Sequence, residues 1–284
     1  MTTGLLIEGG GLRSAFAFGV LKSWCAAAPS FDRTMAVGLS ALAASYYRAG
    51  QAEALEAAWG DYFDAHGALG RLAALKGEQA VKAKDFLEMA LVAKPVDMAA
   101  FAKAPGQFDV AMTQSVNGDS VPWSVERVTE EKQLRRFLRA GVAYPGVNEP
   151  VQIVERSYYD GALSDPLPVD RMLRLGCDRL VVIQTHRYSD NMSRARLTPS
   201  LALAIADVPM LRNAYLFRHL RYNHALKTLH CLQMTGKAIV VAPVVESTEL
   251  HRYGVSRSAA AEFYSEGLRL GADALARVQK FLEA

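Results

Sequence analysis

Apolar and polar positions along the chain fall into short apolar runs separated by stretches of helical spacing. Residues 4–8 (GLLIE) are an apolar run that leads into three glycines, the pattern of a parallel strand buried on both faces. Residues 12–27 (LRSAFAFGVLKSWCAA) carry helical periodicity. Residues 34–38 (TMAVG) predict a second strand, and a helix follows from about Ser40 to Ala49. Residues 51–104 are alanine-rich with breaks near Gly67, Gly77 and Pro95, which predicts two or three helices beside a sheet. FDVAMTQSV (108–116) reads as a strand followed by an NGD turn, and EEKQLRRFLRAG (130–141) as a helix ending at glycine. VQIVERSYYDGAL (151–163) predicts a strand, with room for a hairpin, that ends in a turn at Asp160-Gly161. A helix over 168–176, a strand over 179–185, a long helical stretch over 199–230, a strand over 238–244 and a last helix over 256–283 complete the pattern.

Strands alternating with helices predict an α/β fold with a mainly parallel sheet. No internal repeat, low-complexity tract or long linker divides the 284 residues. The chain is therefore read as one domain, 1–284, with a helical insertion at about 51–104. In such a sheet the active site lies beyond the carboxyl ends of the strands. Three segments reach that edge: the GGG turn, Ser40 and Asp160.

Composition narrows the function classes. A net charge of +3 is too balanced for a nucleic-acid partner, which needs a concentrated basic face, although it permits peripheral contact with anionic lipid. Cys25, Cys177 and Cys231 lie far apart, with neither metal spacing nor a disulfide framework, and are expected to be reduced and mostly buried. The N-terminus lacks a basic leader segment, and no apolar stretch approaches the roughly 18 residues of a membrane span. A cytoplasmic protein is expected.

The chemistry resides in the three segments at the sheet edge. In EGGGLRS (8–14) the glycines let the backbone point several N–H groups at one spot, at the positive end of a helix. Such a spot binds a phosphate or the oxyanion of an acyl-transfer intermediate. A dinucleotide turn is a further option, since Gly9, Gly11 and Ser14 occupy G-x-G-x-x-G positions, but Asp32 precedes the second strand where an acid should end it. Ser40 follows the second strand, as an N-cap or as a nucleophile beside the oxyanion spot. Asp160 is either the side chain of an ordinary Asx-turn or a general base for Ser40, its pKa raised by Tyr158, Tyr159 and Leu163. Of six histidines, His251 has the chain order of an α/β-hydrolase triad, but the nucleophile of that fold follows a central strand late in the sheet whereas Ser40 follows only the second strand; His186 ends a strand near the site in an accessory or structural role.

Together, GGGLRS (9–14), GLSAL (38–42) and DGA (160–162) resemble the glycine-rich turn, nucleophile elbow and acid motif of the patatin-like phospholipases. The resemblance extends to GVL (19–21), RAGVAYPGV (139–147) and the stretch 164–185, and so covers roughly residues 4–185. It implies a three-layer α/β/α sandwich and a Ser-Asp dyad that cleaves acyl esters of lipids without a metal or organic cofactor. Ser40 resembles the nucleophile and Asp160 the base. The N–H groups of Gly10, Gly11 and Leu12 resemble the oxyanion hole, with Arg13, Gly38 and Gly161 as accessory positions. Two residues depart from the pattern. Ser14 and Leu42 stand where the family carries glycine, and a bulky residue two past the nucleophile would push the helix off the strand. A 1 Å displacement can lower a rate about 100-fold. Leu42 therefore motivates an alternative, a weak or inactive patatin-fold protein that binds lipid or acyl ligands. The aromatic and basic segment 208–229 suits either an anionic membrane surface or docking on the core by its apolar stripe.

Overall fold

A computed structural model describes residues 1–66, 79–188, 190–244 and 257–283. The expected breaks at Gly67 and Gly77, and His251, lie outside these residues. Strand β1 (Thr3–Ile7) is buried throughout and leads through a tight helical turn at Gly11–Ser14 into α1 (Ala15–Trp24). Strand β2 (Arg33–Val37) is followed by α2 (Ser40–Arg48). Helices α3 (Ala52–His66), α4 (Gln79–Ala93) and α5 (Met98–Lys103) occupy the alanine-rich region. Next come β3 (Gln107–Gln114), β4 (Ser120–Ser124), α6 (Glu131–Val142), β5 (Val151–Ile153) and β6 (Arg156–Asp160). The last elements are α7 (Val169–Arg174), β7 (Arg179–Ile183), α8 (Pro199–Ala204), α9 (Pro209–Met234), β8 (Ala238–Val241) and α10 (Arg257–Glu283).

The sheet runs β5-β6-β3-β2-β1-β7-β8, with β4 also paired to β3. Pairs among β1, β2, β3, β7 and β8 are parallel, whereas β4, β5 and β6 pair antiparallel. Alternate residues of the parallel strands face opposite layers. Leu5, Ile7, Ala36, Val110, Val181 and Ile183 pack into a core with α1, α2 and α10. Leu6, Met35, Val37, Ala111, Leu180 and Val182 pack into a second core with α7 and α9. This is the expected three-layer α/β/α arrangement, and fully burying each such Leu, Ile or Val stabilises it by roughly 1.5–3 kcal/mol.

Two features depart from the expected elements. Strand β4 was not anticipated because SVPWS contains a proline and no clean alternation, features tolerated where only one neighbour is paired. The helical stretch expected over 199–230 is two helices, and α9 begins at Pro209, whose missing N–H costs nothing in a first helical turn.

The register around β3 positions the site. Residues 109–113 of β3 pair with β4 along one edge, so β2, paired with residues 107–111, occupies the other. Strand β6 pairs with residues 112–114, where β4 already takes one edge at 112 and 113. It therefore continues the line of β2 beyond its end. Val37 pairs with Ala111 and Asp160 with Met112, which brings Asp160 to the position just past the last residue of β2.

Helices α1 and α10 pack closely enough that backbone meets backbone. A Cβ on Gly267 would stand 2.2 Å from the Phe16 carbonyl oxygen. Gly267→Val is expected to force the helices apart at a cost of roughly 1–3 kcal/mol, with a fall in Tm of about 5 °C. Thermal unfolding followed by circular dichroism measures this, and an unchanged Tm would show that α10 can move away freely.

Candidate functional site

Strand β2 ends at Val37, and the chain reverses at Gly38, whose φ of +63° is in the left-handed region that favours glycine. Leu39 then leads into the first turn of α2. The residue in the elbow between strand and helix is therefore Gly38, and Ser40 is already helical.

Ser40 is fully buried. Its hydroxyl donates to the Glu8 carbonyl oxygen at 2.8 Å and lies 2.9 Å from the Ser14 hydroxyl. These bonds tie the start of α2 to the end of β1 and the start of α1. The expected hydrogen bond between Ser40 and Asp160 is absent. Two residues past Gly38, the Ser40 side chain points back under the elbow toward β1 and does not line the cleft above it. Ser14, the other small departure from the family pattern, serves as its buried partner. Leu42 does not distort the elbow, since it is fully buried in the core beneath α2. The position two past the elbow residue belongs to Ser40, which is small enough to sit against β1.

Asp160 lies where the line of β2 would continue. Its N–H donates to the Ala143 carbonyl, and its Oδ1 accepts the Ala162 N–H at 2.8 Å, which is the Asx-turn anticipated for an Asp-Gly pair. Thr113 holds the turn from below, its hydroxyl donating to the Asp160 carbonyl oxygen at 2.9 Å. Gly161 has an ordinary φ, but a Cβ there would meet the Ala111 carbonyl oxygen at 2.6 Å, so it permits close approach to β3. The Asp160 carboxyl faces Gly38. A Cβ built on Gly38 would stand 3.4 Å from Oδ2 and 3.5 Å from Oδ1, and no other atoms come closer to it. Burial pushes the Asp160 carboxyl up to about 7, against the opposing pull of the Ala162 N–H and the Arg218 guanidinium.

The glycine turn sits beside both. A Cβ on Gly9 would meet Val37 Cγ1 at 2.9 Å and Ala162 Cβ at 3.4 Å, so the turn abuts the end of β2 and the Asp160 turn together. Gly11 has a φ of +57°. Among the described residues no acceptor takes the N–H of Gly10, Gly11 or Leu12. Leu12 buries its side chain in the core.

A cleft of about 180 Å³ opens over these ends. Gly10, Gly11, Arg13, Asp160, His186 and Arg218 form its polar end, and Val142, Tyr144, Val147 and Met192 are among its apolar walls. His186, expected near the site at a strand end, lines this cleft. Its Nδ1 is 2.6 Å from Glu8 Oε1, and the buried Glu8 carboxylate also accepts the Thr185 N–H at 2.7 Å. Arg218 donates to the Ala162 carbonyl at 2.9 Å and lies over the Tyr215 ring. Glu8 and Arg218 were not singled out from the sequence. Glu8 opens the EGGGLRS motif and gave a usable signal, whereas Arg218 is one of several basic residues on a long helix and gave none. Asp32, the candidate dinucleotide acid, instead accepts the Thr3 N–H at 2.7 Å and pins the chain beside β1.

Among the described residues no cluster of His, Cys, Asp and Glu could hold a metal ion, and no helix is long and apolar enough to cross a membrane. The cysteines are unpaired, with Cys177 buried, Cys25 partly so and Cys231 exposed. Most apolar residues of α9 dock on the core, while Met210, Phe217 and Leu220 are exposed.

No curated protein matches the chain. Among solved structures, VipD from Legionella pneumophila aligns over 99% of this chain and 67% of its own, at 10% identity and a TM-score of 0.44. The family described as patatin-like phospholipase matches residues 5–173, more than half of the sequence and all of the segments that form the cleft's polar end except His186 and Arg218. The chain belongs to the patatin-like phospholipase family, a family of lipid acyl hydrolases.

Proposed function

We propose that this chain binds an acyl-lipid ligand in the cleft over β1, β2 and β6, and that it lacks the nucleophile needed to hydrolyse one. One observation carries the reading: the Asp160 carboxyl faces Gly38, while the Ser40 hydroxyl is buried and bonded to Glu8 and Ser14. A general base acts only on a proton within hydrogen-bond reach. Asp160 therefore has a position to serve but no hydroxyl there. Unclaimed amides at the glycine turn and an apolar wall beside them suit the head and chain of an acyl ligand. Such a cleft holds the ester or acid end of a lipid without turning it over. Met210, Phe217 and Leu220, exposed beside the basic Arg212 and Arg221 on α9, are the residues through which it would meet a lipid surface.

The competing reading is a Ser40–Asp160 hydrolase of acyl lipids. The family match supports it, as does the closeness of Ser40, three residues past β2, to Asp160 at the end of the adjoining β6. It requires the Ser40 hydroxyl to leave two buried hydrogen bonds and cross beneath Gly38. A fluorophosphonate probe and a medium-chain p-nitrophenyl ester separate the two. The expected result is no covalent capture, and an ester turnover that matches buffer and is the same in Ser40→Ala. Capture at Ser40, with turnover lost in Ser40→Ala, would establish the hydrolase instead.

A further inference from the structure

We propose that the ligand of this cleft is a free aliphatic carboxylic acid rather than an ester, its head held between the Gly10 and Gly11 amides and the Asp160 carboxyl through one shared proton. This rests on the acyl-binding reading above and specifies what the cleft selects.

In a serine hydrolase the hydroxyl fills the gap between elbow and base. Here that gap carries only a glycine hydrogen, and no donor among the described residues reaches Asp160 Oδ2. Oδ1 is satisfied by the Ala162 N–H, so Oδ2 is the atom left for a ligand. On the other side, the N–H groups of Gly10 and Gly11 are unclaimed among the described residues and line the same cleft as Asp160. A carboxylic acid head matches this pair of demands. One oxygen accepts from the amides, as an oxyanion would. The other meets Oδ2 across a single proton, because two facing carboxyls cannot both stay ionised. Such charge-assisted O–H···O bonds are short and strong. An ester has no proton to share, and its alkoxy carbon would occupy the space that the second oxygen needs. The surrounding charge favours an anion: Arg13 and Arg218 line the cleft, and the buried Glu8 charge is engaged by His186 and the Thr185 amide.

The shared proton makes binding pH-dependent. Three titratable or charged groups line the cleft with Asp160: Arg218 on α9, whose guanidinium acts on the carboxyl directly, Arg13 in the glycine turn, and His186 beyond β7. Asp160 itself holds its proton up to about pH 7. Affinity for an ionised fatty acid is therefore expected to be highest near pH 6. It should weaken toward pH 9, as Asp160 ionises and repels the ligand.

The test is titration of the full chain with decanoate and with methyl decanoate at pH 6 and pH 9, read by displacement of a fluorescent fatty-acid probe. Decanoate is expected to bind at least about tenfold tighter than the methyl ester at pH 6, a difference of one charge-assisted hydrogen bond. That preference should shrink at pH 9. Asp160→Asn should flatten the pH dependence, and an unchanged slope in this variant would show that another group carries it. If Asp160→Asn fails to fold, Asp160→Ala serves the same purpose, with circular dichroism as the check on folding. Methyl decanoate binding as tightly as the acid would overturn this proposal and leave the acyl-binding reading standing. Failure of both ligands to bind would overturn both, and release of methanol from the ester would overturn the reading on which the proposal rests.

Discussion

Gly38→Ser is expected to convert this protein into an esterase, with turnover of a medium-chain p-nitrophenyl ester on the order of 100-fold above the wild type. Gly38 is the elbow residue, and a Cβ there has the Asp160 carboxyl oxygens as its nearest neighbours at 3.4 and 3.5 Å. A serine hydroxyl one bond further out falls within hydrogen-bond reach of Oδ2. Asp160 would take its proton and the alkoxide oxygen would attack the ester carbonyl. The Gly10 and Gly11 amides would hold the oxyanion, the alcohol would leave with the proton, and water would then release the acid. Loss of a serine nucleophile from a refined site costs on the order of 10⁶ in rate, and a site without further refinement recovers only part of that. A serine at positive φ costs about 1 kcal/mol, a strain commonly held at catalytic elbows. Turnover should rise with pH through about 7, because the base must be ionised, and Asp160→Asn in the same background should remove it. A fluorophosphonate should label residue 38. No gain in turnover together with no labelling would mean that the carboxyl and the elbow do not cooperate.

Asp160→Asn alone, in the otherwise native chain, is expected to raise Tm at pH 8.5 by several degrees and to have little effect near pH 4. Burial raises this carboxyl to about 7 in the folded state, whereas an unfolded aspartate loses its proton near 3.9. Between those values the native state binds more protons than the unfolded state, so stability falls as pH rises. The destabilisation is complete above about pH 7, where the folded chain must hold a desolvated carboxylate. It vanishes below the unfolded pKa, where both states are protonated. Asparagine keeps the acceptor for the Ala162 N–H and removes the charge. Asp165, raised to about 6 by the same cause, is unchanged in the variant and contributes equally to both curves. Melting curves from pH 4 to 8.5 measure the effect, and a pH-independent difference would mean that Asp160 titrates as an exposed carboxylate.

Much of the fold was legible because burial imposes periodicity. The continuous apolar runs GLLI, MAV and RLVVI occur because each of these strands is covered on both faces, and all became parallel strands near their expected bounds. The long helices were legible from their spacing, and the glycine turn from the need for backbone without side chains. Strand β4 was not, because its five residues are partly exposed and its pairing with β3 is a contact between segments that no local pattern records.

The site divides along the same line. From the sequence alone came the family motifs, the glycine turn, Asp160 and a serine close to the end of β2. Which residue stands opposite Asp160 was decided by the tertiary structure. The motif G-x-S read from Gly38 to Ser40 is a spacing, and spacing does not specify where a strand ends. The register of β2 and β6 on β3 does, and it brings Asp160 one step past Val37. A shift of two residues between strand and helix carries a side chain from the open cleft to the buried seam between α2 and β1. Local sequence sets the menu of residues near such a turn, and the hydrogen-bond ladder of the assembled sheet selects the one that faces the ligand.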